Sequence, residues 1–471
     1  MRSRTNPSVF ILIVIFLLAA LIFVACSSSP QATSVLTPVS SAPVLATEPA
    51  IQIPTATLPL TSTQTQSPQA TSALIIVEFG PNDRVVRQIS VTDPISGIEA
   101  LQATGLEIVT ADFGDSGVAV CSIAGVGCPA EDCFCSSQFW SSASWSADAW
   151  QLYQSGPSSV SIAPGAIEGW QWTEVGSAGL PPAPALVSIA AAYNWMQNQQ
   201  DPATGGYDSP STSLEVLLAI GANRLRAEDW SLSAGSPSLM DYWQANAQAY
   251  SADGPASSGK LAVGLAAAGG CWPAGAAEPS SYYSGTNGQY SPHAGFQAWG
   301  ILGSLALSQT VPMEAVDYLI TLAQPDGGWE WNQGFGSDTN TTALVIQTLV
   351  AVGEPPDSEI IAKALQYLKS AQNSDGGFTY SPTSQFGTDS DVNSTAYVLQ
   401  SLLAAGQSPI SDVWSINGVT SMDYLPGMQL DNGSYEWQPG SGENLVATAH
   451  AAAALLGRTY PLHRASLSAC P

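Results

Sequence analysis

The sequence predicts a multidomain protein with both α and β structure: a C-terminal α6/α6 toroid preceded by a small β-rich (α+β) domain. Three observations predict this fold. A short phrase recurs in the second half of the chain, helical patterns flank each copy, and residues 73–175 show strand patterns instead. The four copies read QQDPATGGY at 199–207, QPDGGW at 324–329, QNSDGGF at 372–378 and QLDNGSY at 429–435.

Each phrase joins an amphipathic run to a second run rich in Ala, Leu and Val. The last three copies recur every ~50 residues, which is a typical period for helical-hairpin repeats. The glycines are expected to end the first helix with a left-handed residue. The next helix is expected to be capped by an Asp or a Ser, and the caps expected are Asp208, Asp338 and Asp391. Because one hairpin cannot bury both of its faces, the repeats must stack.

The number of Ala-rich helices predicts a closed ring. Six such inner helices are expected at about 211–221, 259–269, 293–307, 340–352, 393–405 and 444–456. Their outer partners are expected at about 186–199, 237–250, 311–323, 357–372 and 418–428. The Gly/Pro/Ser-rich segment 271–292 replaces one outer helix. Six inner helices surrounded by outer helices predict an α/α toroid.

The repeated phrase also resembles a known motif. QNSDGGF and QLDNGSY match the Gln-x3-Gly-x-aromatic motif of the prenyltransferase and squalene-cyclase repeat superfamily, which the chain resembles over 183–460. The resemblance implies an α/α toroid followed by a short tail, 461–471. It leaves the activity open, because the superfamily includes cyclases, protein prenyltransferases, lyases and binding proteins.

The N-terminus has the pattern of an export signal. Two arginines precede an apolar run from Val9 to Val24, and the Phe-Val-Ala-Cys that ends at Cys26 resembles a bacterial lipobox. This resemblance implies a signal peptide over 1–25, a lipidated Cys26 and an extracytoplasmic protein anchored to the cell membrane. An uncleaved membrane anchor is the alternative. The Ser/Thr/Pro-rich segment 26–72 is predicted to be a disordered tether.

The charge balance limits the classes of partner. The chain has 37 Asp and Glu against 11 Lys and Arg, and no basic patch lies outside the signal. Nucleic acids and anionic membrane surfaces are therefore excluded as expected partners. The expected partners are the membrane, reached through the lipid anchor, a small-molecule or polymer ligand, and an uptake system.

Six cysteines remain once Cys26 is lipidated, and an even number in an exported chain predicts disulfides. The disulfide candidates are Cys121, Cys128, Cys133, Cys135, Cys271 and Cys470. A zinc site in the four-cysteine cluster is the alternative, although the cluster lacks paired C-x2-C knuckles. A bond between Cys271 and Cys470 would attach the C-terminal tail to the irregular segment 271–292.

The strand-rich residues 73–175 contain one short helix and end in GWQW at 169–172. This order resembles the C-terminal domain of transcobalamin and intrinsic factor, in which such a domain pairs with an α/α toroid. The resemblance implies a corrinoid, cobalamin, as a ligand held in the cleft between the two domains. Here the β-rich domain comes first, which puts the relative placement of the domains in doubt.

The leading functional hypothesis is therefore a lipid-anchored extracytoplasmic binding protein with no catalysis of its own and no metal site. The predicted ligand contacts are Trp140, Tyr153, Trp170 and Trp172 in the β-rich domain, and Trp331, Asp338, Tyr380, Asp391 and Trp437 at the toroid mouth. The alternative for the acids is helix capping. The aromatics directly after the glycines, Trp329, Phe378 and Tyr435, are expected to pack within the repeats.

An enzyme is the alternative function, either a polysaccharide lyase or glycosidase, or a squalene or terpenoid cyclase. Squalene-hopene-type cyclases use an acid in a D-x-D-D-T-A setting, and this chain has Asp389-Ser390-Asp391-Val392 there, without the second Asp of the adjacent pair. For a glycan-cleaving enzyme the candidate acid pairs are Asp338 with Asp391 and Glu330 with Glu436. His450 is expected to be a buried, hydrogen-bonded imidazole.

Overall fold

The computed structural model describes residues 71–80, 83–174, 180, 183–385 and 387–471. The described residues belong to one compact unit. The predicted signal peptide, the lipidated Cys26 and the tether lie outside the described residues. Within the described ranges, no helix is both long and apolar enough to cross a membrane.

Among the described residues, ten strands, one α-helix and three short 3-10 helices form the N-terminal β-rich part. The strands are β1 (Ser72–Gly80), β2 (Asp83–Ser90), β3 (Ile95–Ser96), β4 (Ile108–Asp112), β5 (Val118–Ile123), β6 (Val126–Gly127), β7 (Phe139–Ser146), β8 (Ala149–Leu152), β9 (Ser161–Ile162) and β10 (Ile167–Thr173), and the helix is α1 (Gly97–Gln102). The main sheet has the order β2-β1-β10-β7-β8. Its β1–β10 pair is parallel and its other pairs are antiparallel. Two smaller sheets, β3-β9 and β4-β5-β6, complete this part.

The remaining helices form two concentric layers. The inner helices are α3 (Pro210–Ala222), α5 (Pro255–Ala267), α6 (Ala294–Ala306), α8 (Thr339–Ala351), α10 (Val392–Ala404) and α12 (Leu445–Leu455). The outer helices are α2 (Ala183–Asn198), α4 (Leu239–Ser251), α7 (Met313–Thr321), α9 (Glu359–Ser370) and α11 (Ser421–Gly427). Each inner helix contacts the next one, and α12 contacts α3, so the ring is closed. The predicted toroid is thus confirmed.

The recurring phrase holds neighbouring repeats together, as the third copy shows. Gly376 has φ +84°, and a Cβ there would lie 2.3 Å from the Thr420 carbonyl oxygen, so the position requires glycine. Phe378 is fully buried, and its N–H donates to Thr395 Oγ1 at 2.9 Å. Because α9 already ends at Ser370, the prediction that the glycines close the first helix is wrong. They instead form a turn beyond it.

Acids cap two of the inner helices as predicted. The Asp338 carboxylate accepts from Thr341 N at 2.7 Å, and that of Asp391 accepts from Ser394 N at 2.8 Å. The prediction for Asp208 is wrong, because Ser209 occupies the N-cap position of α3 and its hydroxyl accepts the capping hydrogen bond. A short polar side chain satisfies the free N–H groups of the first helical turn in each case.

The β-rich part packs against the end of the ring where α3 and α12 terminate. Asn223, the C-cap of α3, exchanges two hydrogen bonds with the Val86 backbone, at 2.9 and 3.0 Å. Asp83 forms ion pairs with Arg224 and Arg458, which follow the same two helices. The mouth formed by the helix N-termini is at the opposite end. The prediction of a ligand cleft between that mouth and the β-rich part is therefore wrong.

The predicted cysteine pairing at the tail is confirmed. Cys271 bonds to Cys470, and the backbones beside them form hydrogen bonds, Trp272 N to Ser468 O at 2.7 Å and Cys470 N to Trp272 O at 3.0 Å. The four clustered cysteines pair as Cys121–Cys133 and Cys128–Cys135. The tail is thus held against the segment that replaces the missing outer helix.

Substituting both Cys271 and Cys470 with Ser is expected to lower the free energy of unfolding by about 2–5 kcal/mol, because the bond closes a long loop in the unfolded chain. The bond spans 199 residues, against seven for Cys128–Cys135. Thermal unfolding measures the loss. The matched control, Ser at Cys128 and Cys135, should lose less; an equal or larger loss in the control would contradict the loop-entropy explanation.

Candidate functional site

The loops at the mouth of the toroid are joined from one repeat to the next. Thr339 N, at the start of α8, donates to the Tyr380 carbonyl at 2.8 Å. Val392 N, at the start of α10, donates to the Trp437 carbonyl at 2.9 Å. Two free N–H groups of the helix ends are thereby satisfied. The same bonds fix the positions of two of the predicted ligand aromatics at the rim.

A cavity of about 610 Å³ lies between these loops, and we call it the rim cavity. Its walls include Phe335, Tyr380, Asp389, Asp391, Trp437 and Gln438. The three aromatic side chains of this set are 83%, 48% and 41% exposed in chain order, which is high for rings of their size. The rim cavity therefore combines exposed π faces with two carboxyl groups in its wall, those of Asp389 and Asp391.

Asp391 is the buried acid of the rim cavity, with 3% of its surface exposed. One carboxylate oxygen accepts from Ser394 N at 2.8 Å and the other from the Ser394 hydroxyl at 2.7 Å. Burial raises the pKa of this carboxyl, although these hydrogen bonds act to lower it. Asp391 is thus a cap whose carboxyl is also more readily protonated than a free one.

Asp338 has the same cap geometry one repeat earlier. Burial raises its pKa to about 6, against hydrogen bonds from Thr341 N and from Trp331 N at 3.1 Å. Among the described residues, however, the walls of the rim cavity do not include Asp338. The two acids therefore share the cap position but differ in access to the rim cavity and in the donor to the second carboxylate oxygen, which is Trp331 N for Asp338 and the Ser394 hydroxyl for Asp391. Their shared cap position makes them a pair for mutagenesis.

The structure brings together only some of the predicted ligand residues. Tyr380, Asp391 and Trp437 share the rim cavity, whereas Trp331 packs on Phe296 with ring centroids 5.0 Å apart. In the β-rich part, Trp140, Tyr153 and Trp170 border a separate cavity, and Trp172 packs on Trp140 with centroids 5.6 Å apart. The residues predicted for one site thus lie in two places.

The second acid pair suggested for glycan cleavage holds loops in place. One Glu330 oxygen accepts from Gly334 N at 2.8 Å and Gly336 N at 3.0 Å. The Glu436 carboxylate accepts from Gly440 N at 3.0 Å and Gly442 N at 2.9 Å, and these bonds lower its pKa. Both carboxylates serve equivalent structural roles in their repeats.

Sequence reasoning missed a charged cluster inside the ring, which we call the axial cluster: Glu215, Lys260 and His450. Glu215 lies 2.5 Å from Lys260 Nζ and 3.1 Å from His450 Nε2. Burial alone would raise the pKa of Glu215, but Lys260 and His450 together lower it to about 2. Each of the three residues is the sixth residue of its inner helix. This shared position was the signal in the sequence that could have predicted the axial cluster. The expectation of a hydrogen-bonded His450 is confirmed.

The closed ring and its repeats define a helical toroid of the prenyltransferase and squalene-cyclase type. A family model described as "Squalene-hopene cyclase C-terminal domain" matches residues 296–446. This span contains the rim cavity, from Phe335 to Gln438. Comparison with curated proteins gives no match. The resemblance of the β-rich part to transcobalamin stays a prediction.

Solved structures with similar chains include a terpene cyclase, a diphosphate synthase and a protein geranylgeranyltransferase. The type II terpene cyclase MstE from Scytonema is 14% identical, with a TM-score of 0.40, covering 58% of this chain and 97% of that one. The ent-copalyl diphosphate synthase from Streptomyces platensis is 19% identical, with a TM-score of 0.32 and coverages of 57% and 50%. Candida albicans protein geranylgeranyltransferase-I is 16% identical, with a TM-score of 0.32 and coverages of 59% and 86%.

The family match corrects the leading functional hypothesis. The hypothesis of a cobalamin-binding protein is wrong, because the family model that matches residues 296–446 is that of the squalene-hopene cyclase C-terminal domain. The match favours the alternative of a terpenoid-cyclase-like enzyme. The placement of the β-rich part, away from the toroid mouth, agrees with this correction.

Proposed function

We propose that the toroid is a terpenoid-cyclase-like enzyme that starts its reaction by transferring a proton from Asp391 to a carbon–carbon double bond of an isoprenoid. The observation that carries the proposal is that the wall of the rim cavity, including this buried acid, lies within the span that matches the squalene-hopene cyclase C-terminal domain. The substrate would lie in the rim cavity.

The chemistry follows from the groups in the cavity wall. The Asp391 O–H bond breaks and a C–H bond forms with the electrons of the double bond, which leaves a carbocation on the neighbouring carbon. A raised pKa keeps more of the carboxyl in the protonated form that this step needs. The faces of Tyr380 and Trp437 can stabilise the cation, and attack by a second double bond closes a ring and moves the positive charge to a new carbon. Loss of a proton from a neighbouring carbon to water then gives the neutral cyclic product, and the Asp391 carboxylate takes up a proton from water.

The chain departs from the family's acid motif at Val392, which occupies the position of the second Asp of the adjacent pair. The hydroxyl of Ser394 donates to Asp391 at 2.7 Å and the Ser394 N–H donates to its other oxygen. These two donors stabilise the carboxylate left after proton transfer. Ser394 is therefore proposed as the group that positions the acid in this chain.

We also propose that the protein is exported and anchored to the membrane through a lipid on Cys26. The three disulfides support an oxidising compartment, where such bonds persist. An anchor would hold the toroid beside the bilayer, into which apolar isoprenoids partition. The anchor would thereby supply the enzyme with a substrate that is poorly soluble in water.

Incubation of the purified protein with squalene and shorter polyenes in heavy water tests the proposed reaction. A proton-initiated cyclisation is expected to give a cyclic product that carries one deuterium at the protonated carbon, detected by mass spectrometry. Heat-inactivated protein is the control. Absence of a cyclic product from every polyene, or a cyclic product without deuterium, would contradict the proposed function.

A further inference from the structure

We propose that the β-rich part carries a second binding site, for a neutral, apolar, ring-containing small molecule. The site is a cavity of about 610 Å³ between β5, β7, β8 and β10 and their connecting loops, which we call the β cavity. Its volume lies within the range usual for sites that hold small organic ligands. This inference does not depend on the proposed activity of the toroid.

The β cavity lies on the face of the main sheet that is turned away from the toroid. Along β1, Leu74 and Ile76 pack with the toroid helices, whereas Ile75 and Val77 pack in the separate core of the β-rich part. Trp170 is the register partner of Val77, belongs to that second core and borders the cavity. The β cavity is therefore separate from both the rim cavity and the interface between the two parts.

The walls of the β cavity favour a neutral ligand with rings. Six aromatic side chains border it, and among its described wall residues none is charged. An uncharged wall is notable in a chain with a formal net charge of −26. Flat aromatic faces bind rings and apolar chains through large contact areas, and Ser141 and Ser142 can hydrogen-bond a single polar group.

The entrance of the β cavity exposes apolar side chains, and disulfides hold one of its loops in place. Phe113, Phe134 and Leu152 border the cavity and are 46%, 64% and 64% exposed. Phe134 lies between Cys133 and Cys135, which bond to two different partners, so the disulfides fix its loop from both sides. Exposed apolar groups grouped around a concave surface mark binding sites more often than ordinary surface. Covering them provides the driving force for binding.

A buried pair orders the inner wall of the β cavity. The Tyr153 hydroxyl donates to Glu168 Oε1 at 2.8 Å, and Glu168 is 4% exposed. Burial raises the pKa of Glu168 to about 7, which reduces the negative charge behind the wall near neutral pH. The pair thus fixes the Tyr153 ring without placing a full charge beside an apolar ligand.

The test uses the full-length protein and the neutral fluorescent probe N-phenyl-1-naphthylamine. The probe is expected to bind, gain fluorescence and accept energy from tryptophan. Phe134→Ser and Leu152→Ser, which alter exposed side chains, should each weaken the affinity by about fivefold, as expected from the apolar area removed. Trp170→Phe should reduce the energy transfer from tryptophan to the probe, and the probe should still bind.

Two controls separate the β cavity from other apolar surfaces. Ile410→Ser removes a side chain that is 69% exposed in the toroid, and Phe335→Ser alters the rim cavity. Both should leave the affinity for the probe unchanged. The proposal is overturned if the probe does not bind, if Phe335→Ser weakens binding as much as Phe134→Ser, or if neither β-cavity variant changes it. Circular dichroism checks that each variant is folded.

Discussion

Replacing Asp391 with Asn is expected to slow the proposed proton-initiated turnover by about 10²–10⁴-fold, the usual contribution of a positioned general acid. An amide of the same shape cannot donate the acidic proton. Asn caps helices about as well as Asp, so α10 should keep its N-terminal hydrogen bond from Ser394 N. Product formation by mass spectrometry and thermal unfolding of the same sample separate catalysis from stability.

Asp338→Asn is the matched control for this substitution. Asp338 caps α8 with the same geometry, is 2% exposed and likewise has a raised pKa, but it does not border the rim cavity. Its substitution is expected to leave turnover within about threefold of the unaltered protein, since it removes no proton donor from the cavity. Equal losses in both variants would indicate that capping, rather than proton donation, explains the effect.

Replacing Lys260 with Met is expected to lower the free energy of unfolding by about 3–5 kcal/mol, because it leaves the Glu215 carboxylate buried without its main partner. The two side chains are only 17% and 12% exposed. Chemical denaturation measures the loss. Since Glu215 has a folded pKa of about 2, below its usual value, the stabilisation is present above the unfolded pKa and is lost as pH falls through about 2.

The double substitution Glu215→Gln with Lys260→Met is the control for this experiment. It removes both charges, so most of the lost stability should return. His450 also contacts Glu215, at 3.1 Å, and Gln can still accept a hydrogen bond from it. If the double variant is as unstable as Lys260→Met alone, the loss comes from packing around the methylenes of Lys260 and not from an unpaired charge.

The helical layers were predictable because their signals are local. Capping by Asp338 and Asp391 and the left-handed backbone of Gly376 are each set by residues close in sequence. The Asp208 prediction failed because the neighbouring Ser209 offers an equally good cap. Which of two adjacent polar residues caps a helix depends on where the backbone enters the first turn.

The sites were harder to predict because they depend on long-range geometry. Glu215 and His450 are 235 residues apart in sequence and meet only because the ring closes. The position of the β-rich part depends on the bonds between Asn223 and Val86, which no local pattern indicates. Whether an aromatic side chain lines a cavity or fills a core, as with Tyr380 and Trp331, also depends on packing by other repeats.

Ring closure has a consequence for how this chain can vary. An open array of repeats can gain or lose a unit at either end, because each unit interacts only with its neighbours. Here α12 contacts α3, and Gln429 donates to the Ser188 carbonyl at 2.7 Å, so the last hairpin completes the first. Deleting one hairpin would leave two unmatched surfaces. The circumference of the ring therefore fixes the number of hairpins. Variation in sequence and length is expected mainly in the loops at the rim.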